Sequence, residues 1–435
     1  QRIFFLLILA PCLFAQSQGR ISGVIEDPAQ GRVPEARVSA VEERTGSRRV
    51  AGTDFHGRYS LPDLPIGTYR VSVEAPGFAI SVADQVQLNV ASALTLNFQL
   101  SLEASAERVE VRDGVAAIEP QQPSGLLVER QSLTTLPING RDFARFSLLT
   151  AGAVSRSSAL SDLTFNGLHP GHNNFTLDGI DVSRGDQPIV SDGFQRGARL
   201  LTGSLDSMGE FRIQTSNYRA EFGRAAGTVV TVASRSGSNE FHGGLFHFLR
   251  NSALDARNYF NFDSQPKDPF TYNNFGANLG GPVWKNRAFF FLNYESSRQR
   301  QGVRGTGTVP SRLMRERALA TSPALAFLLE NFPIGTAGTA NPLVDSYSRF
   351  QSLAIDEDTA SGRIDHWFSE RHRLFARFNL NNSLVDGPLF SILPSALGTT
   401  DFQFVPAKTR NAALNYQWIP GARTLMDFTA GMQRT

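Results

Sequence analysis

Residues 236–435 repeat one pattern, segments of about ten residues in which apolar and polar side chains alternate. In 411–419, Ala412, Leu414, Tyr416 and Trp418 alternate with Asn411, Ala413, Asn415 and Gln417. In 372–381, Leu374, Ala376, Phe378 and Leu380 share one face. Arg373, Arg377, Asn379 and Asn381 share the other, which Phe375 interrupts. From 424 onward, Met426, Phe428 and Ala430 oppose Asp427 and Thr429. Successive side chains of an extended chain point to opposite faces, so each segment reads as a strand with one apolar and one polar surface. Such a strand suits a soluble sandwich or a wall between lipid and water, and alternation alone does not separate the two.

Spacing favours the wall. Candidate strands are 239–251, 270–283, 287–298, 360–368, 371–381, 409–419 and 424–434. Their connections are very short at Lys285-Asn286 and Ser369-Glu370 and long at 299–359 and 382–408, the asymmetry of an outer-membrane barrel. Trp284, Tyr294, Trp367, Trp418 and Phe289-Phe290-Phe291 supply aromatics for interface girdles. Residues 312–329, inside the first long connection, are expected to be partly helical.

Composition excludes other classes. Lys plus Arg is 42 against 40 Asp plus Glu, a net charge of +2 without the basic excess of a nucleic-acid binder. The only cysteine, Cys12, lies in an apolar stretch at 3–14. Behind Arg2 and ahead of polar 16–18, that stretch reads as a signal peptide over 1–15. As a helix it would reach about 18 Å, short of a hydrocarbon core of about 30 Å. A mature chain without it holds no disulfide and no Cys-ligated metal. Among the seven histidines no His-Glu-x-x-His occurs, and His169 and His172 sit in a loop without a third soft ligand. Asp178 and Asp181 lack a donor partner in sequence and read as a turn residue and a solvated or salt-bridged residue. No catalytic, metal or cofactor residue is assigned.

Residues 19–101 consist of short β-prone segments between turns, with Tyr69, Val71 and Val73 opposite Arg70, Ser72 and Glu74. This is the alternation of two packed antiparallel sheets. Gly23-Val24-Ile25, Val33-Pro34-Glu35-Ala36-Arg37-Val38, the stretch Thr53 through Leu61, Leu64-Pro65-Ile66-Gly67-Thr68-Tyr69 and Pro76-Gly77-Phe78 together resemble the carboxypeptidase regulatory-like domain. That resemblance implies a transthyretin-like β-sandwich without peptidase machinery.

Residues 102–123 read as a linker. Within it, Glu107-Arg108-Val109-Glu110-Val111 can form a strand able to add to a partner's sheet. It resembles the short box through which outer-membrane receptors meet their periplasmic energy transducer. Residues 124–234 then read as a compact α+β domain. Asp142 is expected to cap a short helix over 143–149, Asp178-Gly179 to make a tight turn, and 228–233 to form a strand. Leu136-Pro137-Ile138-Asn139-Gly140-Arg141, Phe165-Asn166-Gly167, Leu177-Asp178-Gly179 and Asn217 through Arg224 resemble the plug of TonB-dependent receptors of the Oar-like branch. Asn278-Leu279-Gly280-Gly281-Pro282-Val283 and 286–295 resemble the early barrel of the same branch.

The expected fold is therefore mainly β: a sandwich (19–101), an α+β plug (124–234) and the first strands of an incomplete transmembrane β-barrel (236–435). The family's barrel has roughly 22 strands, so the chain reads as an N-terminal fragment of a longer protein. The resemblance implies a Gram-negative outer-membrane receptor with its sandwich in the periplasm. Its partners would be a TonB-like transducer, outer-membrane lipid and an extracellular substrate whose identity the sequence leaves open. Candidate contacts are 107–111 for the transducer and His169, His172, Asn173 and Asn174 for the substrate, with no nucleic acid and no enzyme activity. Two alternatives share parts of the pattern: a structural or protein-export, surface-organising protein of the same architecture, and a secreted carbohydrate-binding β-protein.

Overall fold

The computed structural model describes residues 18–102, 124–141, 143–155, 163–183, 203–220, 222–223, 225–257, 267–330, 332–388, 402–421 and 424–434. The expected signal peptide, the linker with its 107–111 segment and the Asp142 cap lie outside them.

Eight strands make the N-terminal sandwich: β1 (Gly19–Glu26), β2 (Arg37–Glu42), β3 (Arg48–Gly52), β4 (Arg58–Leu64), β5 (Gly67–Glu74), β6 (Ser81–Leu88), β7 (Ala93–Thr95) and β8 (Phe98–Gln99). One sheet runs β4-β1-β7 with β8 also on β1, and the other β3-β2-β5-β6. Tyr69, Val71 and Val73 point between the sheets with Ile21, Ile25, Val38, Leu61, Leu88 and Phe98. The turn into β4 is closed by Asp54, whose Oδ1 accepts from the N–H groups of His56 (2.8 Å) and Arg58 (2.9 Å). Gly57 there has φ +67°, and a Cβ would stand 2.7 Å from the Ile25 carbonyl, so the turn requires glycine.

The middle domain contains β9 (Ser124–Val128), β10 (Ala153–Val154), β11 (Thr164–Phe165), β12 (Asn174–Leu177), β13 (Ile180–Asp181), β14 (Met208–Ser216) and β15 (Val229–Ser234). Five of these form a sheet in the order β13-β12-β15-β14-β9, with β12 and β15 parallel. Phe146, Phe165, Phe175, Leu177, Phe211, Ile213, Val230 and Val232 build its core. Asp178 and Gly179 both take positive φ, 50° and 82°, and pair Leu177 with Ile180 in a two-residue hairpin. Residues Phe143–Leu149 form a 3-10 helix.

The remaining strands are β16 (His242–Asn251), β17 (Phe270–Trp284), β18 (Ala288–Pro310), β19 (Ala337–Gly338), β20 (Val344–Ser369), β21 (His372–Pro388), β22 (Phe402–Gly421) and β23 (Thr424–Arg434). They form one antiparallel sheet, β16-β17-β18-β20-β21-β22-β23, with β19 on β20. It does not close, and β16 and β23 are its free edges among the described residues.

Its polarity is inverted relative to a water-soluble protein. Leu292, Ile364, Leu414 and Phe428 are 52, 55, 47 and 54% exposed on the outer face, whereas Asp365 and Gln417 on the inner face are 1 and 0% exposed. A soluble sandwich buries the apolar face, while a wall with lipid outside does the reverse.

β18 and β20 run much further than expected, because the outer face turns polar there (Arg298, Arg300, Asp356 and Asp358) while the apolar Leu353 and Ile355 of β20 lie on the covered face. Pairing continues to Pro310↔Val344, supported by Arg298 on Asp358 and Arg300 on Asp356. About half of the expected 299–359 connection is thus strand. Its tip carries helices Arg312–Thr321 and Ala326–Glu330, the first capped by Ser311, whose Oγ accepts from Met314 N–H.

Candidate functional site between middle domain and wall

The middle domain meets the inner face of the wall through buried charges. Asp178 stands in the β12–β13 turn because its φ must be positive there, which Asp tolerates. Its Oδ1 accepts from Ser234 N–H (2.8 Å) and lies 3.3 Å from Nη1 of Arg363 on β20. Its Oδ2 lies 2.6 Å from Nε of Arg377 on β21, an ionic contact without hydrogen-bond alignment. Arg377 also donates to the Leu177 carbonyl (3.3 Å) and to Asn411 Oδ1 (2.6 Å). Arg363 donates to Ser234 Oγ (2.8 Å) and in a bidentate fork to Asp365, which Arg373 also reaches. Period-two alternation puts these wall residues on the inner face: 363 and 365 share it on β20, and 373 and 377 on β21.

A second cluster reverses the signs. Arg141, from the turn after residue 139, donates to Asp206 (2.8 Å) and lies 3.5 Å from Glu295 on β18. Glu295 also accepts from Asn274 Nδ2 (2.8 Å) and from the hydroxyl of Ser204. The Arg141 guanidinium sits 4.4 and 4.8 Å from the ring centres of Phe246 and Phe248 on β16. The middle domain therefore offers a carboxylate to wall arginines at one place and a guanidinium to a wall carboxylate at another. The cavity beside the first cluster, lined by Leu177, Arg235, Phe291, Arg363 and Arg377 among others, is about 10 Å³, room for roughly one water.

Such pairs contribute little net stability, since desolvating each ion costs about what the attraction returns. Their chemistry is positional: they fix the register of the middle domain against the wall.

The expected ligand contacts divide. His169 and His172 are exposed with ring centres 5.9 Å apart, and His169 Nδ1 accepts from Gly171 N–H. Asn173 and Asn174 are buried: Asn173 donates to the Leu163 carbonyl and accepts from Thr228 N–H, and Asn174 donates to the Gly223 carbonyl. Both asparagines hold backbone. The residues that reading by sequence missed as a site are Asp178, Arg363 and Arg377. The available signal was three charged side chains on faces otherwise assigned to a turn and a polar lumen.

A third contact joins the sandwich to the middle domain. Glu210 on β14, 6% exposed, accepts from Val90 N–H at 2.6 Å, Arg212 donates to the Val90 carbonyl, and Arg219 donates to the Ala91 carbonyl. Burial pushes the Glu210 carboxyl up to about 7, aided by the charge of Glu129 and opposed by Val90 N–H, Arg212 and Arg44. A carboxyl with a raised value in the docked state takes up a proton on docking. Docking is therefore tightest below the ordinary glutamate range and weakens as pH rises to about 7. Hydrogen exchange at 89–92, corrected for intrinsic rate, is expected to accelerate between about pH 5 and pH 8, and Glu210→Gln to flatten that rise.

Comparison with known proteins places these parts. Residues 233–435 match the outer membrane beta barrel domain and residues 20–101 the carboxypeptidase regulatory-like domain. The TonB-dependent transporter Oar of Myxococcus xanthus is 28% identical over 307 residues, 67% of this chain and 28% of that protein. The chain thus spans little more than a quarter of its relative's length. Among solved structures, the outer membrane transporter YddB from Escherichia coli is similar at 14% identity and TM-score 0.46, over 71% of this chain and 38% of that one. A mutant of the ferric enterobactin receptor PfeA from Pseudomonas aeruginosa is similar at 12% identity and TM-score 0.45, over 72% and 41%. Both TM-scores lie below 0.5, and the sequence similarities are the two domain matches and the Oar relative.

Proposed function

We infer that this chain, an outer-membrane β-barrel protein homologous to the TonB-dependent transporter Oar and carrying a carboxypeptidase regulatory-like domain, serves as a plug-gated receptor that binds an extracellular substrate and imports it. The middle domain is the plug. The observation that carries this reading is the pair of buried, oppositely signed ionic clusters, Asp178 with Arg363 and Arg377, and Arg141 with Glu295. They hold a folded domain against the polar side of a wall whose other side is apolar.

No covalent step is needed, and the role is non-enzymatic. Work must instead come from outside, because hydrating several buried charges together requires a pull. A TonB-like transducer adding a strand at 107–111 would supply it. His169 and His172 remain the exposed candidates for first contact with substrate.

Deleting 107–111 from the full-length protein tests the reading. Uptake of whichever compound the unaltered protein imports, from a panel of iron chelates, oligosaccharides and peptides, is expected to fall to background while surface binding persists. Uptake at the unaltered rate removes the energised receptor and leaves a structural role.

A further inference from the structure

The sandwich does more than precede the plug: three separate pieces of it touch the plug and the short-turn end of the wall simultaneously. The 89–92 turn enters the plug through Glu210, Arg212 and Arg219, and Val90 and Ala91 pack against Phe222, Val229 and Ala233. The turn after β2 reaches the wall, where the Arg44 carbonyl accepts from Asn239 N–H at 3.0 Å. There Gly46, at φ +69°, comes so close to Asn286 in the β17–β18 turn that a Cβ would stand 2.7 Å from its Oδ1. Asn239 and Asn286 bond each other twice at 2.7 Å, which fixes that landing point. Finally, Arg49 donates to Gln417 (2.8 Å) and to the Glu370 carbonyl in the β20–β21 turn, and Gln18 accepts from Gln417 and Arg373.

We propose that the sandwich is a cap on the periplasmic mouth, clasped at once to plug and rim, and that it must undock before the plug can move. This rests on the receptor reading above. The short turns mark the periplasmic end of the wall, and two of them, at Asn286 and Glu370, are touched by the sandwich. A plug that shifts relative to the wall cannot keep both sets of contacts, because one rigid two-sheet domain makes them all.

The contacts are also built to release. Half are single hydrogen bonds to backbone carbonyls, the rest are single bonds to side-chain oxygens, and the apolar patch is small. Arg49 is held where burial and the nearby Arg373 charge pull its guanidinium down to about 10. A cation under that penalty gains when water reaches it.

The test uses the full-length protein in cells. Cys12 is the only cysteine of this chain, and any cysteine elsewhere in the full-length protein is first replaced by serine. Arg44→Cys with Asn239→Cys places thiols on two residues whose backbones are hydrogen-bonded, within disulfide reach. Ala91→Cys places one at the buried clasp. The cap predicts that the pair oxidises readily, that oxidation lowers import of the panel compound at least about ten-fold, and that reductant restores it. It also predicts that a periplasmic maleimide labels the Ala91→Cys thiol slowly in protonophore-treated cells and at least about ten-fold faster during import. Failure of the pair to oxidise, or fast labelling without energy, overturns the docked arrangement. Full import by the oxidised pair overturns the need to undock while leaving the receptor reading intact. Absence of import by the unaltered protein overturns the receptor reading, and the cap falls with it.

Discussion

Asp178→Ala is expected to destabilise seating of the middle domain against the wall by about 3–5 kcal/mol, the range for removing one partner of a buried ion pair. The size follows from what remains. Arg363 keeps Asp365, but Arg377 loses the one carboxylate it contacts among the described residues and retains a carbonyl and an amide oxygen. Ser234 N–H also loses its acceptor. The double variant Asp178→Ala with Arg377→Met is expected to recover most of the loss, since an apolar replacement of the whole pair removes the uncompensated charge. Thermal unfolding of the full-length protein in detergent, together with ion leak through planar bilayers, measures both effects. A single variant as stable and as tight as the unaltered protein would mean that the cluster does not hold the middle domain.

Leu414→Arg probes the opposite face. Leu414 lies four residues from Trp418 towards the short turns and four from Arg410 towards the long loops, in the row that pairs Ala376 and Ala430. A cation there faces the hydrocarbon and is expected to cost about 2–4 kcal/mol, the range for Arg near the midplane of an outer-membrane barrel. Asn415→Arg, one residue on, points to the inner face beside the Asp427 carboxylate, which can pair with the cation, and is expected to cost less than Leu414→Arg. Refolding free energies of the full-length protein in lipid vesicles distinguish them. Equal penalties at 414 and 415 would sink the assignment of faces.

How much of this was legible beforehand depends on range. The hairpin at Asp178-Gly179 was readable because two adjacent residues that tolerate positive φ suffice to specify it. The wall strands were readable where the outer face was apolar and were underestimated where that face turns polar in β18 and β20, since their continuation depends on pairing with each other. Asn173 and Asn174 looked like loop ligands because an asparagine beside glycine and histidine gives no local sign of whether it will face water or backbone. Asp178 was assigned correctly as a turn former, yet its contact with Arg363 lies 185 residues along the chain and leaves no local trace.

By itself the sequence determined which side chains share a face, because period-two alternation is a property of extended covalent geometry and needs no neighbour. It also determined where tight turns occur, through residues able to take positive φ. Only the tertiary structure decided that the polar face of the late strands is the covered one, that three dispersed charges meet at one point, and that the first domain rests on both others. Those outcomes depend on which surfaces exclude water together, and that is settled by packing between segments rather than within any of them.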